Sequence, residues 1–213
     1  MSEKGEIQNT TKIFSEYAGA YEEKFMDMDI YRDEFDLFCD LISEKNGRIL
    51  EIGCGPGNCT RYLLEKRPDL DIYGIDVAPK MIDLARVNNP KARFERMDAR
   101  EINKLTQKFD GIFCSFGLPY FSKKEAQQLI ADAKSLLPSK GVIYLSTMEG
   151  TVSQSGYESP STGTADKLFV NYHKADYLLE ALKVNGFRDI RVKRFVTNSE
   201  EKTTTNLVII AQC

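Results

Sequence analysis

A glycine-rich turn between a short apolar segment and a helical segment restricts the fold of this chain more than any other sequence feature. The apolar segment is Ile49–Ile52, glycines follow at positions 53, 55 and 57, and a helical pattern begins near Asn58. Glycine allows a tight turn and lets a ligand approach the backbone without a Cβ atom in the way. This connection is typical of an α/β fold in which a ligand lies against the turn.

Apolar segments alternate with amphipathic segments through most of the chain after residue 48. Further strands are predicted at Ile72–Ile75, Ala92–Met97, Gly111–Ser115 and Val142–Thr147. Helices are predicted to begin near Asn58, Pro79, Ser122 and Lys174. This alternation indicates βαβ units, so we predict an α/β fold with a mostly parallel sheet and helices on both of its faces.

The pattern changes after Gly186. Two strand-like segments, Arg188–Val196 and Thr203–Ala211, are joined by Thr197–Lys202, which is too short to hold a crossover helix. Parallel neighbours need a crossover of about a dozen residues or more, whereas antiparallel neighbours need only a turn. We therefore predict an antiparallel hairpin at one edge of the sheet.

Two helical segments precede the first strand. In the first, Tyr17 and Tyr21 belong to a run of apolar residues at helical spacing, and the second carries an aromatic stripe opposite an acidic face. We predict that residues 1–45 form an N-terminal helical cap on residues 46–213. The two parts together are expected to make a single structural domain.

The composition argues against several classes of protein. Lys and Arg total 29 against 32 Asp and Glu, a formal net charge of −3 without a dense basic run, so neither nucleic acid nor a membrane surface is an expected partner. One histidine and five scattered cysteines predict no metal site and reduced thiols in the cytoplasm. No apolar run is long enough to span a membrane, and no signal-peptide pattern is apparent.

The segment Glu149–Ala165 is rich in Gly, Ser, Thr and Pro and lies between a predicted strand and a predicted helix. A loop of this length in a compact domain is usually either a functional lid or a disordered excursion. Both interpretations stay open. If the segment is a lid, the loop and the N-terminal helix would close over a ligand from two sides.

The spacing of the glycines distinguishes between classes of nucleotide site. The dinucleotide pattern G-x-G-x-x-G needs glycine at position 58, where this chain has Asn58, and no Lys-Ser or Lys-Thr pair of a P-loop follows the turn. The second predicted strand leads directly into Asp76, whose carboxylate can accept hydrogen bonds from both hydroxyls of a ribose. These observations favour an adenosine ligand other than a dinucleotide.

With these motifs the chain resembles the class I S-adenosylmethionine-dependent methyltransferases that act on small molecules. The motifs that carry the resemblance are Glu51–Gly57, the strand ending in Asp76, Met97–Ala99, Phe109–Ile112, and Leu136–Pro138 with Gly141. The resemblance implies a Rossmann-like, doubly wound sheet of seven strands whose last strand is inserted antiparallel. It also implies S-adenosylmethionine as the methyl donor, S-adenosylhomocysteine as the product, and no metal.

The resemblance further implies roles for individual residues. Glu51 would orient the glycine turn and the methionine amino group, Asp76 would bind the ribose, and Asp98 would accept a hydrogen bond from the adenine amino group. The other residues implied to lie against the cofactor are Gly53, Cys54, Gly55 and Gly57 in the turn, Val77, Met81 and Ala99 around the adenine, Ser115, Phe116 and Gly117 beneath the sulfonium, and Tyr17 and Tyr21 in the N-terminal helix. Cys54 is assigned no chemistry of its own.

The residues after the fourth strand bear on the methyl acceptor. Ser115–Tyr120 lacks the Asp/Asn-Pro-Pro-aromatic tetrapeptide of enzymes that methylate amino groups of nucleic acids. Together with the net negative charge, this favours a small-molecule acceptor, and the sequence leaves open whether O, N or C is methylated. His173, Tyr120 and Tyr172 are the candidates for the acceptor pocket and for removal of a proton.

Two other functions stay open. One is a non-catalytic module that binds an adenosyl ligand and shares the methyltransferase fold. The other is a nicotinamide-dependent oxidoreductase, against which Asn58 and the glycine spacing argue. A ligand-binding assay would distinguish an oxidoreductase from a methyltransferase. Only a turnover assay would distinguish a non-catalytic module from an active enzyme.

Overall fold

Helices and strands alternate along the chain in the computed structural model, which describes residues 3–26, 29–160, 166–198 and 203–213. The helices are α1 (Glu3–Glu16), α2 (Ala18–Phe25), α3 (Arg32–Leu41), α4 (Asn58–Lys66), α5 (Pro79–Asn88), α6 (Lys123–Leu136) and α7 (Ala175–Val184). The strands are β1 (Arg48–Ile52), β2 (Asp71–Asp76), β3 (Arg93–Arg96), β4 (Gly111–Cys114), β5 (Val142–Glu149), β6 (Gly156–Glu158), β7 (Leu168–Val170), β8 (Arg188–Asn198) and β9 (Thr203–Gln212). Within the described ranges, no helix has the length and apolar character needed to cross a membrane.

Seven of these strands form one sheet in the order β3-β2-β1-β4-β5-β9-β8. Strands β1 to β5 pair in parallel, whereas β9 runs antiparallel to both β5 and β8. The predicted mostly parallel sheet of seven strands and the antiparallel hairpin at its edge are confirmed. Residues 199–202 of the predicted turn lie outside the described residues, and β8 continues to Asn198.

Helices cover both faces of the sheet, as predicted. On one face, Phe35 and Phe38 of α3 and Leu63 of α4 pack with Phe113 and Tyr144 of the sheet. On the other face, α6 and α7 bury their apolar sides against β1, β4, β5 and β9. Truncating a fully buried Phe to Ala costs about 3–5 kcal/mol, so α3 contributes strongly to the core of the sheet.

The first helical segment is interrupted at Tyr17, which separates α1 from α2. The end of α2 is held at the glycine turn by two hydrogen bonds. Nδ2 of Asn58 donates to the carbonyl oxygen of Phe25 at 3.1 Å, and Nη2 of Arg61 donates to that of Met26 at 2.7 Å. Asn58, which breaks the dinucleotide pattern, thus anchors α2 over the turn.

The segment after β5 contains secondary structure that its composition did not predict. Strand β6 pairs antiparallel with β7, and Leu168 and Val170 of β7 pack against Ile13 of α1. Residues 161–165 of the Glu149–Ala165 segment lie outside the described residues. The contact joins α1, one of the two expected covering elements, to the strand that follows the loop, and the lid itself stays a prediction.

Candidate functional site

A cavity opens at the carboxyl ends of β1, β2 and β4, the edge at which parallel α/β sheets bind ligands. Its volume is about 270 Å³, close to the lower end of the range of about 300–1,000 Å³ for small-molecule sites. Helices α1 and α2 contribute to one wall, and residues in and just after β7 contribute to another.

Gly55, in the middle of the turn, borders the cavity without a side chain. Its φ of +53° lies in the left-handed region, which glycine adopts without a steric penalty. A Cβ atom added there would meet nothing nearer than Cε1 of Tyr21 at 3.8 Å and Oδ1 of Asn58 at 3.9 Å. Because Gly55 lines the cavity, the missing side chain leaves room for a ligand against the backbone.

Gly57, at the end of the turn, is required by packing between helices. Its φ is +83°, and an added Cβ would clash with Nδ2 of Asn89 and lie 3.3 Å from Cα of Ala85. The same Asn89 nitrogen donates a hydrogen bond to the carbonyl oxygen of Gly57 at 2.9 Å. This glycine therefore lets the start of α4 approach α5.

Asp76 lies at the end of β2, beside the glycine turn, and lines the cavity. Its Oδ2 accepts a hydrogen bond from the Gly55 amide at 3.0 Å, and its Oδ1 accepts one from the Ala78 amide at 2.8 Å. A carboxylate has about four acceptor positions, so both oxygens can accept further hydrogen bonds from a ligand. Burial raises the pKa of this carboxyl above its usual value, while the backbone amides oppose that rise.

Asp98 and Ala99 follow β3 and line the cavity beside the end of β2. Oδ1 of Asp98 accepts hydrogen bonds from the amide and from Nη1 of Arg100, at 3.0 and 3.1 Å. Asp98 is thereby the N-cap of the short 3-10 helix Ala99–Lys104. The carboxylate caps a helix and faces the cavity at once.

The chain turns sharply where β4 ends. Phe116 has a φ of +51°, which is uncommon for a residue with a side chain, and its amide donates a hydrogen bond to Oγ of Ser146 at 2.9 Å. Ser115, Phe116 and Gly117 all line the cavity. Strained backbone of this kind concentrates at functional sites.

Glu51 is buried within β1, with 2% of its surface exposed, and it does not line the cavity. The hydroxyl of Thr60 in α4 donates a hydrogen bond to its Oε2. Burial raises the pKa of the Glu51 carboxyl to about 8. The pair joins β1 to α4 next to the glycine turn.

The cavity brings together most of the residues that the sequence predicted for cofactor binding. Those that line it are Tyr21, Gly53, Gly55, Asp76, Val77, Met81, Asp98, Ala99, Ser115, Phe116 and Gly117, together with Tyr120 of the predicted acceptor pocket. Those that do not line it are Tyr17, Glu51, Cys54 and Gly57. Cys54 packs with Ile82 of α5 instead, and Tyr17 lines a small separate cavity.

His173 and Tyr172 also lie outside the lining and contribute to a second cavity. Nε2 of His173 is 2.9 Å from the carbonyl oxygen of Leu118. A carbonyl can only accept, so Nε2 donates and Nδ1 accepts from the hydroxyl of Tyr177. Burial lowers the pKa of His173. The hydroxyl of Tyr172 donates to Oε1 of Glu158 at 3.1 Å.

Several lining residues were not predicted from the sequence: Thr10, Phe14, Arg100, Phe169 and Asn171. Phe14 lies two helical turns before Tyr21, so the apolar periodicity that selected Tyr21 contained a signal for it. Phe169 and Asn171 come from the chain around β7, where no motif marked them.

In the described part of the chain, no three His, Cys, Asp or Glu side chains are grouped so that they could hold a metal ion. All five cysteines are free thiols, and four of them are buried. Burial raises the pKa of Cys54, Cys59 and Cys114 above the usual value, which disfavours the reactive thiolate form.

Residues 49–141 match a family model described as a methyltransferase domain. A malonyl-[acyl-carrier protein] O-methyltransferase of Acetivibrio thermocellus is 34% identical over 110 residues, which are 51% of this chain and 38% of the relative. A trans-aconitate 2-methyltransferase of Enterobacter sp. is 37% identical over 95 residues, which are 45% of this chain and 36% of the relative. The matched part of this chain thus spans well under half the length of each relative.

A solved structure extends the likeness to the whole fold. The crystal structure of a SAM-dependent methyltransferase from Archaeoglobus fulgidus matches with a TM-score of 0.68 and 19% identity, covering 92% of this chain and 100% of that one. The segment matched by the family model includes the glycine turn, Asp76 and Asp98. Residues 49–141 of the chain are thus similar to a methyltransferase domain, and the chain as a whole has the class I methyltransferase fold.

Proposed function

We propose that this chain binds S-adenosylmethionine in the cavity and transfers its methyl group to a small molecule. The observation that carries the proposal is the convergence of Gly55, Asp76 and Asp98 on one cavity from the ends of three neighbouring strands. All three lie within the segment that matches the methyltransferase domain. The names of the two relatives agree with methyl transfer.

The residues present fit this ligand. The absence of a side chain at Gly55 admits it against the backbone, and Asp76 keeps acceptor positions for the two ribose hydroxyls. Val77 and Met81 would enclose the adenine with apolar side chains, while Asp98 would accept a hydrogen bond from its amino group.

S-adenosylmethionine supplies a methyl group on a sulfonium, and its leaving group is a neutral thioether. The chain's own contribution is therefore to position the acceptor and to exclude water. Residues of α1, α2 and β7 line the cavity, as do Ser115, Phe116 and Gly117.

Tyr120 is the member of the predicted acceptor pocket that lines the cavity. Burial raises the pKa of its hydroxyl, so Tyr120 would donate a hydrogen bond to the acceptor rather than remove a proton from it. His173 donates a hydrogen bond to the carbonyl oxygen of Leu118, which lies in the same short 3-10 turn as Tyr120. In this proposal His173 positions that turn, whereas Tyr172 donates to Glu158, and neither side chain touches the acceptor.

Titration calorimetry with S-adenosylhomocysteine tests the binding part of the proposal. We expect one site per chain without added metal, and no comparable binding of NADH. Tight binding of NADH without binding of S-adenosylhomocysteine would favour the nicotinamide-dependent alternative instead.

Turnover tests the catalytic part. The protein is incubated with S-adenosylmethionine and a panel of small-molecule acceptors, and release of S-adenosylhomocysteine is measured against an Asp76→Ala control. Binding of S-adenosylhomocysteine without release for any acceptor would favour the non-catalytic module.

The proposal also includes the location of the protein and its partners. A cytoplasmic protein that acts without nucleic-acid or membrane partners agrees with the net charge of −3 and with five free thiols. The division into residues 1–45 and 46–213 stays an expectation.

A further inference from the structure

One part of the cavity is not used by the proposed cofactor contacts. It consists of Glu6, Thr10 and Phe14 of α1 together with Phe169 and Asn171 at β7, and we call these five residues the acceptor wall. None of them lies within residues 49–141, the segment matched by the family model. The match to the family model therefore gives no information on which acceptor this wall would bind.

Arg100 is the one cation among the described residues of the lining, and it is already engaged by groups of this chain. Its Nε donates to Oε1 of Glu125, its Nη1 donates to Oδ1 of Asp98 at 3.1 Å, and its Nη2 donates to the carbonyl oxygen of Tyr120 at 2.8 Å. Its guanidinium carbon also lies 4.4 Å from the ring centroid of Phe121. Two carboxylates thus neutralise the guanidinium before any ligand binds.

The other charged residues of the described lining are acidic: Glu6, Asp76, Asp98 and Glu125. A carboxylate moved from water into a partly apolar site needs a positive partner or several hydrogen-bond donors to offset its desolvation. Glu6 on the acceptor wall would instead repel a carboxylate and attract a cation.

Resting on the proposed function, we propose that the acceptor has an apolar body and receives the methyl group on an amine or a neutral hydroxyl, not on a carboxylate. An amine that binds as its ammonium ion gives up one proton, to water or to the Glu6 carboxylate. Its nitrogen lone pair then forms the bond to the methyl group as the C–S bond breaks. The aromatic rings of Phe14 and Phe169 suit such a body, and they also attract cations at their faces. A carboxylic acid of the kind named for the two relatives does not suit this lining.

The test uses protein saturated with S-adenosylhomocysteine and three probes of one skeleton: phenethylamine, phenethyl alcohol and hydrocinnamate. Nuclear magnetic resonance titration follows the resonances of Thr10, Phe14 and Asn171. We expect the amine and the alcohol to shift these resonances, and the amine to bind at least about tenfold more tightly than hydrocinnamate, a difference of about 1.4 kcal/mol. Stronger binding of hydrocinnamate, or no shift of the wall by any probe, would overturn the proposal.

A charge reversal provides the matched control. Glu6→Lys should reverse the preference toward hydrocinnamate, whereas Glu16→Lys, an exposed position on the same helix outside the lining, should leave the preference unchanged. An equal change in both variants would mean that only the overall charge matters, and the proposal would fail. Failure of S-adenosylhomocysteine to bind at the outset would contradict the proposed function itself, so the two failures are distinguishable.

Discussion

The amide of Gly55 donates a hydrogen bond to Oδ2 of Asp76 over 3.0 Å, although 21 positions separate the two residues in the sequence. Parallel pairing of β1 with β2, in which Ile52 lies opposite Ile75, brings the two strand ends together. The Asp76 carboxylate therefore fixes the glycine turn and presents oxygen atoms to the cavity at the same time. Its loss should affect the shape of the turn as well as ligand contacts.

Asp76→Ala should weaken the binding of S-adenosylhomocysteine by at least about tenfold. Hydrogen bonds to a charged group contribute about 1.5–3 kcal/mol each, and about 1.4 kcal/mol corresponds to a tenfold change. Titration calorimetry measures the loss. Asp71→Ala is the control, because Asp71 lies at the other end of β2 and pairs with Arg93 near the surface. Unchanged affinity of Asp76→Ala would show that Asp76 does not hold the ligand.

Gly57→Ala should lower the free energy of unfolding by about 1–3 kcal/mol, the usual effect of overpacking. The new methyl group would clash with Asn89, and φ is positive there. Gly19→Ala, in α2 with no atom within 4 Å of the added Cβ, should raise stability by about 0.5–1 kcal/mol because Ala favours a helix. Urea unfolding compares the two, and similar effects at both positions would contradict the packing argument.

Glu51 should make stability fall as pH rises. Burial raises its pKa from an ordinary value of 4.5 to about 8, so the folded chain holds this proton more tightly than the unfolded chain does. The stabilisation is fully present below about pH 4.5 and is lost as pH rises to about 8, with a slope of at most about 1.4 kcal/mol per pH unit. Denaturant unfolding at a series of pH values measures the slope.

Glu51→Gln should flatten this pH dependence, because the amide does not titrate and can still accept the hydrogen bond from Thr60. Glu44→Gln, at an exposed glutamate, should keep the wild-type slope. A slope in Glu51→Gln equal to that of the wild type would exclude Glu51 as its source.

His173 should titrate below its usual pKa of 6.5, because burial disfavours the charged imidazolium. It is the single histidine of the chain, so its ring protons can be followed in one-dimensional nuclear magnetic resonance spectra without assignment. A folded pKa below the unfolded one stabilises the protein above about pH 6.5, and that contribution is lost as pH falls. His173→Gln should remove this loss of stability below about pH 6.5. A measured pKa at or above 6.5 would contradict the buried, hydrogen-bonded ring.

Several features of the fold and site were predictable because each depends on residues close together in the sequence or on a regular period. The glycine turn needs only a strand, three glycines and a helix in succession, and Asp76 follows from its place at the end of a buried strand. The short Thr197–Lys202 connection restricts its two strands to an antiparallel hairpin in the same way. The period of the N-terminal helix placed Tyr21 on its apolar face, and the resemblance to the methyltransferases implied its contact with the cofactor.

The sequence by itself therefore determined the layered sheet, the glycine turn and the place of Asp76 at the ligand edge, since strand and helix periods and glycine conformations are local properties. The resemblance to the methyltransferases added Asp98 and Ser115–Gly117. Only the tertiary structure decided which distant side chains complete the cavity. It brought Phe169 and Asn171 into the wall and tied Arg100 to Asp98 and Glu125. It also placed His173 behind the Leu118 carbonyl. Those placements depend on how β7 packs against α1 and on competition among buried polar groups for hydrogen-bond partners, and no local pattern encodes either.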